Sequence, residues 1–258
     1  MSQNQHPAEE QPLPFVAPCR TLHVRAPLRW ISLGWKDMKK SPLQSLMYGI
    51  AVFLISLMIS FAAWQAGNVY VLAALLSGFI FMGPLIAIGP YSISKQLQSK
   101  QSASLLETLR LEKQSISHLM IFAVILLVVL LVWARAASMV HIFFPEVSDA
   151  NLADFAVFLG IGTAVGSIFA TIIFCASAFS LPMLMDKKVD TVTAVLSSVN
   201  AVLRNKQAML VWAAIIVFCL FLSFISGLIG LIVLMPLIGH ATWHAYQETI
   251  DAGIWPAR

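Results

Sequence analysis

Charge is scarce in this chain: Asp, Glu, Lys and Arg make up 11% of its 258 residues, against about 25% in ordinary soluble domains. So little charge cannot cover a water-facing surface, which excludes a soluble globular protein. Cysteine is almost missing as well. Cys19, Cys175 and Cys219 lack the paired spacing of a disulfide framework or a zinc site. Cys175 and Cys219 lie inside apolar runs and read as small packing residues. Residues 1–27 contain no apolar core, so no cleavable signal peptide is expected and insertion is expected to rely on the first span. Catalytic signatures are absent too: there is no phosphate loop, nucleophile elbow or HExxH pair. No apolar run carries a central Asp, Glu or Lys to relay a proton or hold a coupling ion. The expectation is a protein that is not an enzyme.

What fills the chain is apolar sequence, 59% of all residues, with a mean hydropathy of +0.83. An integral membrane protein follows. The apolar runs divide into about six spans of roughly the 20 residues needed to cross a bilayer, near 46–64, 69–90, 118–139, 155–185, 207–225 and 228–246. The last two come from one uncharged run, Ala208–Gly239, far too long for a single crossing and therefore expected to turn near Ser226-Gly227. The fold class is all-α, a polytopic membrane helix bundle. Residues 28–250 form it, between a disordered, proline-bearing tail (1–27) and a short polar tail (251–258).

Three polar connections punctuate the spans. Leu28–Lys40 has Leu28, Ile31, Trp35 and Met38 on one face and Arg29, Lys36, Lys39 and Lys40 largely opposite, a pattern suited to the headgroup layer. Ser92–Ser117 contains Leu105, Leu106 and Leu109. Asp186–Lys206 places Val192, Val195, Val199 and Val202 at helical spacing, beside Leu196 and Leu203. The net charge of +4 and pI near 9.1 come from residues between apolar runs. They therefore speak for orientation and against nucleic acid as a partner. Fifteen of the sixteen Lys and Arg residues fall on one side of the six-span arrangement. The positive-inside rule places that side, with both termini, in the cytoplasm.

Gly83-Pro84 and Gly89-Pro90 interrupt the second span. A proline inside a helix removes an N–H and frees the carbonyl four residues earlier, here those of Ile80 and Ile86. Pro182 and Pro236 close two later apolar runs. The pattern reads as three related hairpins, each led by an amphipathic helix and ending at a proline; convergence on a common hairpin grammar explains it as well. Freed carbonyls are costly in lipid and are expected to face protein or a water-filled cavity. Gly162, Gly166 and Ala170 form a stripe that would let another helix backbone approach. Arg135, the lone basic residue of the opposite side, is expected to pair with Glu146, Asp149 or Asp154, beside His141. His240 and His244 lie four apart on the last helix, near Trp243 and Tyr246. That spacing could present two imidazoles to a metal or haem iron, but no acidic or cysteine partner is near in sequence. Interfacial anchoring is the plainer reading, and no cofactor is expected.

The stretches RTLHVRAPLRWISLGWKDMKKSPLQSLMYG at Arg20–Gly49 and FIFMGPLIAIGPYSISKQLQ at Phe79–Gln98 resemble the bacterial domain-of-unknown-function 2189 family of integral membrane proteins. The resemblance implies a bacterial inner-membrane location and no mechanism. Some relatives carry a cytochrome c oxidase subunit I label, which implies a respiratory context. The residues here do not support oxidase chemistry, because His6 and His23 lie in the N-terminal tail and His118, His141, His240 and His244 near the ends of spans. Three functional classes follow from the sequence. One is a non-catalytic accessory or assembly partner of a membrane complex; another is a small-solute channel or transporter. A haem or metal protein using His240 and His244 is the third.

Overall fold

The computed structural model describes residues 14–65, 82–100, 102–143 and 152–258. Every regular element among them is a helix: α1 (Ala26–Lys40), α2 (Pro42–Gln65), α3 (Ile88–Lys100), α4 (Leu105–Phe143), α5 (Leu152–Ser177), α6 (Ser180–Asp186), α7 (Thr191–Arg204), α8 (Lys206–Ile225) and α9 (Leu231–Thr249). Four stretches are long and apolar enough to cross a membrane: Pro42–Ala62, Ile116–Ala136, Gly160–Asp186 and Lys206–Ile225. A helical membrane bundle is thus what these residues build. The expected span 69–90 lies mainly on residues 66–81, outside the described residues. The chain turns between α8 and α9 at 226–230, where Gly227 and Leu228 take positive φ values of 63° and 71°. Glycine adopts that backbone freely.

α9 is the axis on which the basic end is built. Its buried residues run almost continuously from Met235 to Tyr246, and α1, α2 and α3 all pack on it. Two glycines make the approach close. A Cβ on Gly34 of α1 would lie 2.7 Å from the Ala241 amide nitrogen, and one on Gly49 of α2 would overlap the Ile232 carbonyl oxygen. Both helices therefore press backbone to backbone on α9. Trp30 seals the α1–α8 contact edge-on against Trp212, with ring centroids 5.6 Å apart. Its indole N–H donates to Glu248 Oε2 at 2.8 Å, and Glu248 also pairs with Arg29.

The proline sites are covered by neighbouring parts of the chain. Tyr48 Oη donates to the Ile86 carbonyl at 2.7 Å, the very group that Pro90 frees. The carbonyl freed by Pro236 is that of Ile232, and it abuts Gly49. Just ahead of Pro182 the helix breaks between α5 and α6. There Ser198 Oγ donates to the Cys175 carbonyl at 2.7 Å and accepts from the Phe179 amide at 3.1 Å. A hydroxyl has been spliced into what would be an i→i−4 helical bond.

The tails correct the expectation of disorder over 1–27. Residues 1–13 lie outside the described residues, but from Ala17 onward the segment is packed. Ala17 is fully buried, and its amide bonds Ser197 Oγ at 2.8 Å. Cys19 bridges Ile250 in antiparallel fashion, and Asn205 Oδ1 accepts from the Leu22 amide at 2.7 Å. The C-terminal residues do the same: Ala257 bridges Lys187, and Trp255 is buried. Composition misleads here because the stabilising bonds are to backbone and to serine and asparagine side chains far along the chain, which a local apolar count does not register.

Candidate functional site

The buried face of α1 carries Trp30, Gly34, Asp37 and Met38, spaced at i, i+4, i+7 and i+8 so that they share one side of a helix. Asp37 thereby points at α9, toward His240 and His244 one turn apart. α2 follows α1 after the single residue Ser41 and supplies Ser45, while α3 supplies Ser94. Ser45, Ser94 and His240 are all fully buried.

The hydrogen bonds form one directed chain. Ser94 Oγ donates to Asp37 Oδ2 at 2.8 Å, so its oxygen is left to accept from His240 Nδ1, also at 2.8 Å. His240 then carries its proton on Nδ1, and its Nε2 accepts from the Ser45 hydroxyl at 2.9 Å; the tautomer follows from the network. On the other side His244 Nε2 meets Asp37 Oδ2 at 2.8 Å. Ser41 Oγ donates to the Asp37 carbonyl at 3.0 Å. Four helices are thus joined through side chains whose polar atoms are satisfied, as burial demands.

Burial pushes the Asp37 carboxyl up, but hydrogen bonds from His244 and Ser94 outweigh it and hold the group below its ordinary value. The Asp37 carboxyl is therefore ionised at neutral pH. Ser45, His240 and Asp37 evoke a hydrolase relay, with Ser94 interposed. The geometry does not perform that chemistry, because a hydroxyl and an imidazole with no exposed surface can meet no substrate. Metal ligation fits no better, since both ring nitrogens of His240 are taken by serine hydroxyls and a ligand nitrogen needs its lone pair. No group of three or more His, Cys, Asp and Glu side chains suited to a metal occurs among the described residues.

The residues singled out from sequence are brought together unevenly. His240 and His244 join one network, and His240 is fully buried within the protein. Pro90 packs on Gly239 of α9, where a Cβ would lie 2.6 Å from the proline ring, so the Pro90 and Pro236 sites share that helix. The break ahead of Pro182 is closed instead by α7. Pro84 is half-buried, and the carbonyl it frees, that of Ile80, lies outside the described residues. Arg135 is exposed on α4. Glu146 and Asp149, and the side chains of Asp154 and His141, lie outside the described ones. Gly162 and Gly166 have open space where a Cβ would point; the close approaches occur at Gly34 and Gly49 instead.

Asp37, Ser45 and Ser94 went unrecognised in the sequence. The available signal was the phase of Asp37 with Trp30 and Gly34. The apolar set Leu28, Ile31, Trp35 and Met38 drew attention instead; of these Leu28 and Trp35 are exposed, Ile31 is half-buried and Met38 shares the buried face with Asp37.

Residues 71–186 match the family model described as "Predicted integral membrane protein (DUF2189)", and the chain resembles that family. The matched stretch covers α3 to α6 but not α1 or α9, so Asp37, His240 and His244 stand outside it. No curated protein and no solved structure matches the chain.

Proposed function

We propose that this protein is a non-catalytic inner-membrane component that packs against another membrane protein through its spans. The observation that carries this reading is the open glycine face of α5. Among the described residues, nothing lies within 4 Å of the missing Cβ positions of Gly162 and Gly166, one turn apart in a candidate span. Glycine costs about 1 kcal/mol relative to alanine within a helix and gains no contact with lipid chains. Against another helix it permits backbone approach. The stretch Ile116–Ala136 of α4 is likewise only 17% buried, leaving surface for a neighbour.

The reading includes no cofactor and no reaction. It places the basic end, with both tails, in the cytoplasm, because fifteen of sixteen basic residues gather there. Transport through a proline-lined path is less well supported. Tyr48 and Gly49 close two of the freed carbonyls that such a path would use. Affinity purification from native membranes in mild detergent tests the proposal. A second membrane protein in stoichiometric amount is expected, and recovery of this chain alone would count against it.

A further inference from the structure

α1 and α7 are amphipathic in a way that a soluble fold does not use. On α7 the face turned to the protein is small and polar: Thr193, Ala194, Ser197, Ser198 and Ala201 are buried. The apolar face is turned out, with Val192, Leu196 and Leu203 exposed by 62%, 44% and 54%. α1 has three faces, roughly a third of a turn apart at about 100° per residue. Trp30, Gly34 and Asp37 meet the protein. Leu28 and Trp35 form a second, outward apolar face, with half-buried Ile31 at its edge packing against the core. Arg29, Lys36 and Lys40 occupy the third, with Lys39 at its border, 5.5 Å above the Trp35 ring.

Both helices stand at the mouth of a span. α1 passes into Pro42–Ala62 through Ser41 alone, and α7 passes into Lys206–Ile225 through Asn205 alone. Each hinge is pinned, Ser41 by the Asp37 carbonyl and Asn205 by the Arg20 carbonyl at 3.0 Å. The two outward apolar faces are therefore fixed at the ends of membrane-crossing helices, where the hydrocarbon boundary falls. Lys187 and Lys188 precede α7 and Arg204 ends it, as Lys39 and Lys40 end α1.

We infer that α1 and α7 lie in the plane of one leaflet and dock on anionic phospholipid, their apolar faces in the acyl boundary and their basic side chains on the headgroups. Charge complementarity selects an anionic surface, and continuity with the spans selects lipid over a soluble partner. Lys36, Lys39 and Lys40 supply the headgroup contacts of α1, and Arg29 is shared with Glu248.

The full chain in vesicles of equal parts phosphatidylcholine and phosphatidylglycerol provides the test. Nitroxide labels are placed singly at Leu28→Cys, Leu196→Cys and Lys36→Cys, with the native cysteines replaced by alanine. Labels at 28 and 196 are expected to relax with oxygen more than with a water-soluble nickel chelate, and the label at 36 in the reverse order. Nickel access at 28 and 196 would put these faces in water; access to neither reagent would mean that protein covers them. Either result overturns the proposal. A second measurement keeps the native cysteines and quantifies lipid retained after detergent extraction. Wild type should enrich phosphatidylglycerol, and the triple Lys36→Gln, Lys39→Gln, Lys40→Gln variant should lose that enrichment about fivefold or more, since even one basic residue at an anionic surface is worth roughly 1 kcal/mol, or about fivefold. Equal enrichment in both chains would overturn the assignment to anionic lipid.

Discussion

At the basic end, α1, α2, α3 and α9 bury Asp37, Ser45, Ser94 and His240 in one bonded network. Along α5, by contrast, the missing Cβ positions of Gly162 and Gly166 meet none of the described residues. The two regions use the same resource, small or polar residues on a helix face, to different ends. Where helices must meet in one register, buried hydrogen bonds fix that register, because each unpaired group is costly. Where a span faces outward, the small residues leave a smooth surface and no bonds. Rigidity is concentrated at the basic end, and capacity for new contacts lies along the spans.

The contrast can be broken most severely at Asp37. Asp37→Ala leaves His244 and Ser94 without their shared acceptor and should cost about 3 kcal/mol, read as a lowered unfolding midpoint in detergent. The same group makes the contrast sensitive to pH. Its folded value lies below the ordinary carboxylate value of about 4, so its contribution is complete above about pH 4 and is lost as pH falls through the folded value. Wild type should therefore lose stability on acidification more steeply than Asp37→Asn; parallel curves would show that the carboxylate contributes nothing.

Glycines on the two sides of the comparison should behave oppositely. Gly49→Leu drives a side chain into the Ile232 carbonyl and should destabilise by about 2 kcal/mol. Smaller again, Tyr48→Phe removes the bond to the Ile86 carbonyl and should cost about 1 kcal/mol. The same melting assay reads both. Gly166→Ala has room for its methyl group and should be neutral or raise stability by up to about 1 kcal/mol. A large loss at Gly166 within the isolated chain would erase the distinction drawn here.

Sequence periodicity and hydropathy made the spans at Pro42–Ala62, Ile116–Ala136, Gly160–Asp186 and Lys206–Ile225 legible, because crossing lipid is a requirement on each segment by itself. The freed carbonyl at Ile86 was legible for the same reason, since proline acts within one turn. Its partner Tyr48 was not, and neither was the pairing of Asp37 with His244 across 207 positions. Such pairs are chosen by how helices pack, and a single sequence records the faces but not which faces meet. The order of Ala17–Leu22 was hidden similarly: Ser197 and Asn205 hold it from the far end of the chain. At Gly162 and Gly166 the pattern was plain, and only the structure shows that no described residue fills the space beside them.

The most direct measurement is co-purification from native membranes of wild type beside Gly166→Leu. The account predicts that wild type brings a second membrane protein with it, and that the variant keeps its own unfolding midpoint but loses that partner. Recovery of wild type alone, or of the same partner in equal amount with Gly166→Leu, would contradict it.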